Sequence, residues 1–155
     1  MKVKDIMTRD VTSVGLNDIL ERVVETCAHH NREGVPIVDD ENRVVGFVSA
    51  KDIMSAALPG YLEMLQSTSF IPDTDTLFKK LTAIRGNSLK DVLKPKKVIK
   101  VNGDDTALYA ADLIIKNGIN SLVVVDEQDR LVGIVSRVAL LLALLKGNDR
   151  SKESE

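Results

Sequence analysis

Residues 35–49, VPIVDDENRVVGFVS, and residues 122–136, LVVVDEQDRLVGIVS, are two copies of one pattern set 87 positions apart. Seven of the fifteen positions coincide: Val38/Val125, Asp39/Asp126, Arg43/Arg130, Val45/Val132, Gly46/Gly133, Val48/Val135 and Ser49/Ser136. Each copy is a β-branched run, a polar bridge and a second β-branched run. The bridges, 39–43 and 126–130, are short enough for hairpin turns. The runs do not alternate with polar residues, which predicts strands covered on both faces. Three residues past the shared serine the copies part, because Asp52 stands where copy two has Ala139. A ligand site built on that position is expected to be asymmetric.

Working outward, apolar residues recur at helical spacing before each hairpin: Ile19, Leu20, Val23, Val24, Cys27 and Ala28 in copy one, and Leu108, Ala111, Leu113, Ile114 and Ile115 in copy two. Asn17 or Asp18 is available as the first helix's N-cap. Asn31 and Gly118 share one repeat position just past these helices, and both residue types tolerate the left-handed conformation that ends a helix. Short β-rich segments at 11–14 and 98–101 precede the helices, with helical turns at 4–7 and 90–93 before them. A second helix is expected after Ser49 and Ser136. The unit is thus β-α-β-β-α, used twice, and two such units predict an α+β fold with pseudo-twofold symmetry.

The division expected is a first unit over 1–57, a helical insertion over 58–88, a second unit over 89–146 and a polar, disordered tail over 147–155. The insertion holds three of the five aromatic residues, Tyr61, Phe70 and Phe78, and is too apolar for a flexible linker. Pro59-Gly60 and Pro72-Asp73 punctuate it, so it reads as two short helices.

Composition narrows the function. The 155 residues are 44% hydrophobic and 28% charged with a net charge of -2, values of a globular chain with no electrostatic case for nucleic acid. The basic run at 94–100, with four lysines, reads as a solvated loop. Cys27 is the single cysteine, so no intramolecular disulfide forms and a reducing cytoplasm fits. The chain opens without a basic segment followed by an apolar run, and no stretch reaches the roughly 18 apolar residues of a membrane span. The longest apolar block, 138–145, is expected to lie against the other half or a second subunit. His29 and His30 are adjacent, project about 100° apart on a helix and do not form a metal-binding pair. The serines lack His and Asp partners for a hydrolase triad, and no P-loop pattern is present.

The run Gly34-Val35-Pro36-Ile37-Val38-Asp39, then Val45-Gly46-Phe47-Val48-Ser49, two residues and Asp52, resembles the CBS domain, named after cystathionine beta-synthase. Copy two resembles it through 122–126 and 132–136, and the likeness extends from Lys4 to about Leu145. It implies a stand-alone tandem CBS pair: a cytoplasmic regulatory module, not an enzyme, with no metal or redox cofactor. Its ligand would be AMP, ADP, ATP or S-adenosylmethionine, held in the cleft between the paired units. The signal would be a conformational change read by a protein target that the sequence does not name, and the pair would form a homodimer. Carried over by residue, Asp52 would accept from the ribose hydroxyls and Ser49 would contact the first phosphate. Thr12, Ser13, Val35 and Pro36 would bracket the adenine. Lys51 and Arg137 join as phosphate neighbours, since both sit just inside the helices that start at Ser49 and Ser136.

Elementary physics supports two uses of the same residues. A helix N-terminus offers unpaired N–H donors to a phosphate, and a carboxylate accepts from vicinal hydroxyls as alanine cannot. Ser49 with Asp52 also fits a capping box, of which Ser136 and Ala139 keep one half. The alternative function is therefore an interaction or scaffold protein, or an accessory subunit, with a vestigial nucleotide site. Gly46 and Gly133 read as close-packed strand positions and Cys27 as a small buried hydrophobe.

Overall fold

The computed structural model describes residues 1–57, 74–94 and 96–153. After a 3-10 turn at Val3–Asp5 come helix α1 (Leu20–His29), strands β1 (Gly34–Val38) and β2 (Val44–Ser49), and helix α2 (Ala50–Ala57). Helices α3 (Thr74–Ile84) and α4 (Leu89–Val92) follow. Strand β3 (Lys100–Asn102), helix α5 (Ala107–Asn117), strands β4 (Ser121–Val125) and β5 (Leu131–Ser136) and helix α6 (Arg137–Glu153) complete the chain. The fold is the α+β class expected, with each hairpin between two helices.

The hairpins form because the turn residues supply the backbone that the strands cannot. Asn42 and Asp129, at the same repeat position, take φ of 64° and 68°, a left-handed conformation that Asn and Asp tolerate. β5 pairs antiparallel with β4, and β3 lies parallel on the other side of β4. In copy one the matching first strand shrinks to a single parallel bridge, Val14 to Ile37. The expected strand at 11–14 is interrupted because the Thr12 amide and hydroxyl both donate to Asp10 Oδ1, at 2.8 and 2.6 Å, a local bond that replaces the ladder.

The shared helix stops are as expected: Asn31 has φ 51° and Gly118 φ 59°. The start of α1 differs from the sequence reading. Its N-cap is Ile19, with no side-chain cap, while the Asp18 carboxylate accepts from the Gly15 amide at 2.8 Å. The amides of Leu20 and Glu21 find the carbonyls of Asn87 and Arg85, each at 2.9 Å. In α5 the cap is local, with Thr106 accepting from the Tyr109 amide at 3.1 Å.

α6 runs to Glu153, so residues 147–153, read from sequence as a disordered tail, are helical. Gly147 does not end the helix; a Cβ there would lie 2.9 Å from Met1 Cε, and Arg150, Lys152 and Glu153 beyond it are good helix formers. In the insertion α3 accounts for one helix. The rest of the insertion, 58–73, where the second short helix would fall, lies outside the described residues.

Two compact units result, and they do not follow the repeat boundaries. Unit 1 comprises Met1–Thr12, Asp40–Val44 and Val98–Glu155; unit 2 comprises Ser13–Asp39 and Val45–Lys97. The core of unit 1 gathers Val3, Val101, Ala110, Ile114, Leu122, Val124, Val135 and Leu140. That of unit 2 gathers Val14, Leu20, Val23, Cys27, Val35, Ile37, Val48, Ile53 and Leu89. Val3 opens copy one yet packs with copy two, and Leu89 opens copy two yet packs with copy one. Thr8 pairs with Ile134 of β5 through two backbone bonds of 2.9 and 3.0 Å. The close approach needs Gly133, where a Cβ would meet the Thr8 carbonyl at 2.6 Å.

Also within unit 1, the two hairpin turns bond reciprocally, Val44 amide to Asp129 carbonyl at 2.9 Å and Leu131 amide to Asn42 carbonyl at 3.0 Å. Lys100 Nζ reinforces them from Asp129 Oδ2 at 2.6 Å and the Val44 carbonyl at 3.1 Å.

Candidate functional site

Residues 49–52 form where β2 passes into α2 without a loop. The Ala50 amide donates to the Glu33 carbonyl at 2.8 Å, and in copy two the Arg137 amide does the same to Asn120 at 2.9 Å. The first turn of α2 then closes a full capping box: the Ser49 amide donates to Asp52 Oδ2 at 2.9 Å, and the Asp52 amide to Ser49 Oγ at 3.2 Å. Copy two keeps one half, the Ala139 amide donating to Ser136 Oγ at 3.1 Å.

The other Asp52 oxygen has a partner that sequence reasoning missed. Lys96 Nζ lies 3.2 Å from Oδ1. The ammonium is exposed, whereas the Asp52 side chain is only 24% exposed. Burial pushes the Asp52 carboxyl upward, but the Ser49 amide, the Ser49 side chain and Lys96 outweigh it and hold the group below the usual carboxylate range. The signal available in sequence was the lysine run at 94–100, read there as a solvated loop. Two of its lysines instead hold carboxylates far along the chain, Lys96 on Asp52 and Lys100 on Asp129.

Asp52 borders a recess of about 460 Å³. Phe47, Ala56, Val92 and Leu93 give it apolar walls, and Lys94 and Lys96 stand with Asp52 as its charged groups. Its size falls within the roughly 300–1,000 Å³ of small-molecule clefts. All of its lining belongs to unit 2. A second recess, about 550 Å³, lies among Glu41, Arg43, Gln128 and Arg130. Its arginines face their own turns, Arg43 with Glu41 at 3.4 Å and Arg130 with Asp126 at 2.8 Å.

The remaining sequence-derived positions divide. Ser13 is half-buried beside β1, since the Val14 amide donates to the Pro36 carbonyl at 3.0 Å and the Val38 amide to the Val14 carbonyl at 2.8 Å. Thr12 falls in unit 1, its hydroxyl given to Asp10. Val35 is fully buried in the core of unit 2 and Pro36 is equally enclosed, so their side chains serve packing and do not offer an open face to adenine. Lys51 is exposed on α2. Ser136 and an exposed Arg137 lie in unit 1, outside the Asp52 recess.

Burial, then the charge of Glu33, pushes the Cys27 thiol up, away from the thiolate a nucleophile needs. The His29 and His30 rings meet edge to face at 5.0 Å. Among the described residues no cluster of three His, Cys, Asp or Glu could hold a metal, and no helix is long and apolar enough to cross a membrane.

The family model of the CBS domain matches residues 3–59 and again 89–146. The chain belongs to the CBS domain family, as a tandem pair. An uncharacterised protein of Methanocaldococcus jannaschii is 29% identical over 163 residues, covering 94% of this chain and 92% of its own length. Two longer proteins of that archaeon also match, and the chain spans only 38% and 39% of them. The crystal structure of the CBS-pair protein CBSX2 from Arabidopsis thaliana superposes with a TM-score of 0.75, at 23% identity and 96% of both chains. CBSX2 in complex with AMP gives 0.70, at 23% identity and 95% of this chain against 98% of that one. The CBS domain pair of protein MJ0100, in complex with 5'-methylthioadenosine and S-adenosyl-L-methionine, gives 0.66 at 21% identity, covering 93% of this chain and 99% of that one.

Proposed function

We propose that this chain is a non-catalytic regulatory module that binds an adenosine-containing ligand at copy one and signals by a change of conformation. The observation that carries the reading is the Asp52 carboxylate, fixed by Ser49 at the head of α2 and bordering the 460 Å³ recess, against Ala139 in copy two. Asp52 accepts the ribose hydroxyls, and the Ser49 hydroxyl with Lys51, at the positive end of the α2 dipole, receives the first phosphate. Ser13 and the backbone of Val35 and Pro36, all in the same unit as Asp52, flank the base. Ser136 and Arg137 in copy two retain a phosphate cap without a ribose acceptor, so one ligand binds per chain with useful affinity. That the fold is shared with proteins crystallised with AMP and with S-adenosyl-L-methionine supports this choice of ligand class.

A ligand shifts a conformational equilibrium only by its differential affinity for the two states, so the output needs a partner or a second subunit that reads the difference. We assign a homodimer contact to the apolar surface of α5 and α6, where Leu108 and Ile115 are each 79% exposed and Val138 is 73% exposed. The cytoplasm is the proposed location.

The closed capping box favours one second reading, a scaffold in which Ser49 and Asp52 only start a helix. Thermal unfolding with AMP, ADP, ATP, S-adenosylmethionine and GTP, followed by calorimetry, separates the two. A ligand at 100 times its Kd adds about 2.7 kcal/mol of stability. A shift with an adenosine compound and a stoichiometry near one per chain supports the sensor. No shift across the panel leaves the scaffold.

A further inference from the structure

We propose that Lys96 makes the copy-one site selective for phosphorylated adenosine ligands, by leaving Asp52 for the ligand's phosphate when the ribose takes its place. This rests on the reading of Asp52 as the ribose acceptor.

Asp52 Oδ2 accepts from the Ser49 amide at 2.9 Å and Oδ1 accepts from Lys96 Nζ at 3.2 Å. A vicinal diol brings two donors, and the oxygen not committed to the helix start is the one Lys96 holds. Binding a ribose therefore displaces the ammonium. The exposed lysine stem turns about its own bonds, so displacement needs no movement of the backbone.

What the displaced charge meets decides the selectivity. Lys94 stands on the same recess, whose other walls include Phe47, Val92 and Leu93. Once the diol takes Oδ1, the Lys96 ammonium has lost its contact with Asp52 and faces the ligand on the recess that Lys94 also lines. A neutral nucleoside offers the displaced ammonium no anion in exchange, and a sulfonium brings a further positive charge. A phosphate ester supplies the anion, at the end of the site where the positive end of the α2 dipole favours one. The structure thus ranks AMP or ADP above adenosine, 5'-methylthioadenosine and S-adenosylmethionine.

The test is calorimetry of wild type, Lys96→Met and Lys96→Arg with AMP and with adenosine at fixed ionic strength. Methionine keeps the stem and removes the charge. Lys96→Met should bind AMP about ten-fold more weakly, the lower end for a lost charged hydrogen bond. Adenosine should bind as well as before or up to about five-fold better, because the exposed ion pair it displaces is gone. Lys96→Arg should restore the preference for AMP, and Lys97→Met, an exposed neighbour, should leave it intact. Equal changes for both ligands in Lys96→Met overturn the role of Lys96 while leaving the adenosine site standing. Failure of wild type to bind either ligand overturns the site itself, and the role of Lys96 with it.

Discussion

Replacing Asp52 by alanine removes two things at once, the acceptor for the Ser49 amide and the anion that Lys96 meets. The first is a helix-start contact, so Asp52→Ala should lose about 1 kcal/mol in urea unfolding. The second makes the loss depend on pH. The Asp52 carboxyl sits below its ordinary value in the fold, because Ser49 and Lys96 outweigh the burial that would raise it. A depressed carboxylate stabilises the fold above its unfolded pKa, near 3.8, and that contribution is lost as pH falls through the lower folded value. The gap between wild type and Asp52→Ala should therefore narrow below about pH 4; a constant gap down to pH 2 would locate its origin elsewhere. If Asp52 clamps ribose, the folded variant also binds ribonucleotide at least about ten-fold more weakly in calorimetry. The three-residue spacing of Ser49 and Asp52 was legible as a cap, and copy two shows the half that Ala139 permits. Lys96 was not legible at this scale. It lies 44 residues beyond Asp52, with no periodicity that couples the two.

At the scale of the element, the local signals were read well and the non-local ones were lost. The hairpins announce themselves by β-branched runs around polar turns, and Asn31 and Gly118 mark the helix stops because left-handed backbone selects for them. This makes an unequal pair of predictions. Asn31→Gly should raise the thermal midpoint, since glycine adopts φ 51° without a Cβ cost, whereas Gly118→Ala should lower stability by about 1 kcal/mol. Gly133→Ala should cost more than Gly118→Ala, roughly 2 kcal/mol or above, because its Cβ meets a main-chain oxygen that cannot swing aside. Urea unfolding of the three variants checks the order. The start of α1 was misread because capping rules look one turn away, and here the amides of Leu20 and Glu21 bond to residues more than sixty positions later. Leu108 and Ile115 are exposed for a packing reason. Their spacing is helical, but Ala107, Ala110 and Ile114 fill the inward phase of α5 and leave both leucine and isoleucine outside.

For the whole molecule, the repeat was plain in the sequence and the exchange of opening segments was not. Val3 and Leu89 are fully buried, each in the core dominated by the other copy. Truncating Leu89 to alanine should lose about 2–5 kcal/mol and Val3→Ala roughly 2 kcal/mol, although each lies in sequence with one repeat and completes the core of the other. Both losses are measurable by urea unfolding, and near-neutral variants would show that the segments merely rest on the surface. Nothing in the pattern of 35–49 and 122–136 distinguishes a segment that packs on its own copy from one that packs on the other. The exchange has a consequence for synthesis on the ribosome. When the first 57 residues have emerged, Val3 has no core to enter and the site of Leu89 is open, so neither half can be finished in order of translation. The copy-one core waits about thirty further residues for Leu89, and Val3 waits roughly a hundred for its own core, about 5–20 s at ordinary elongation rates, with apolar surface uncovered.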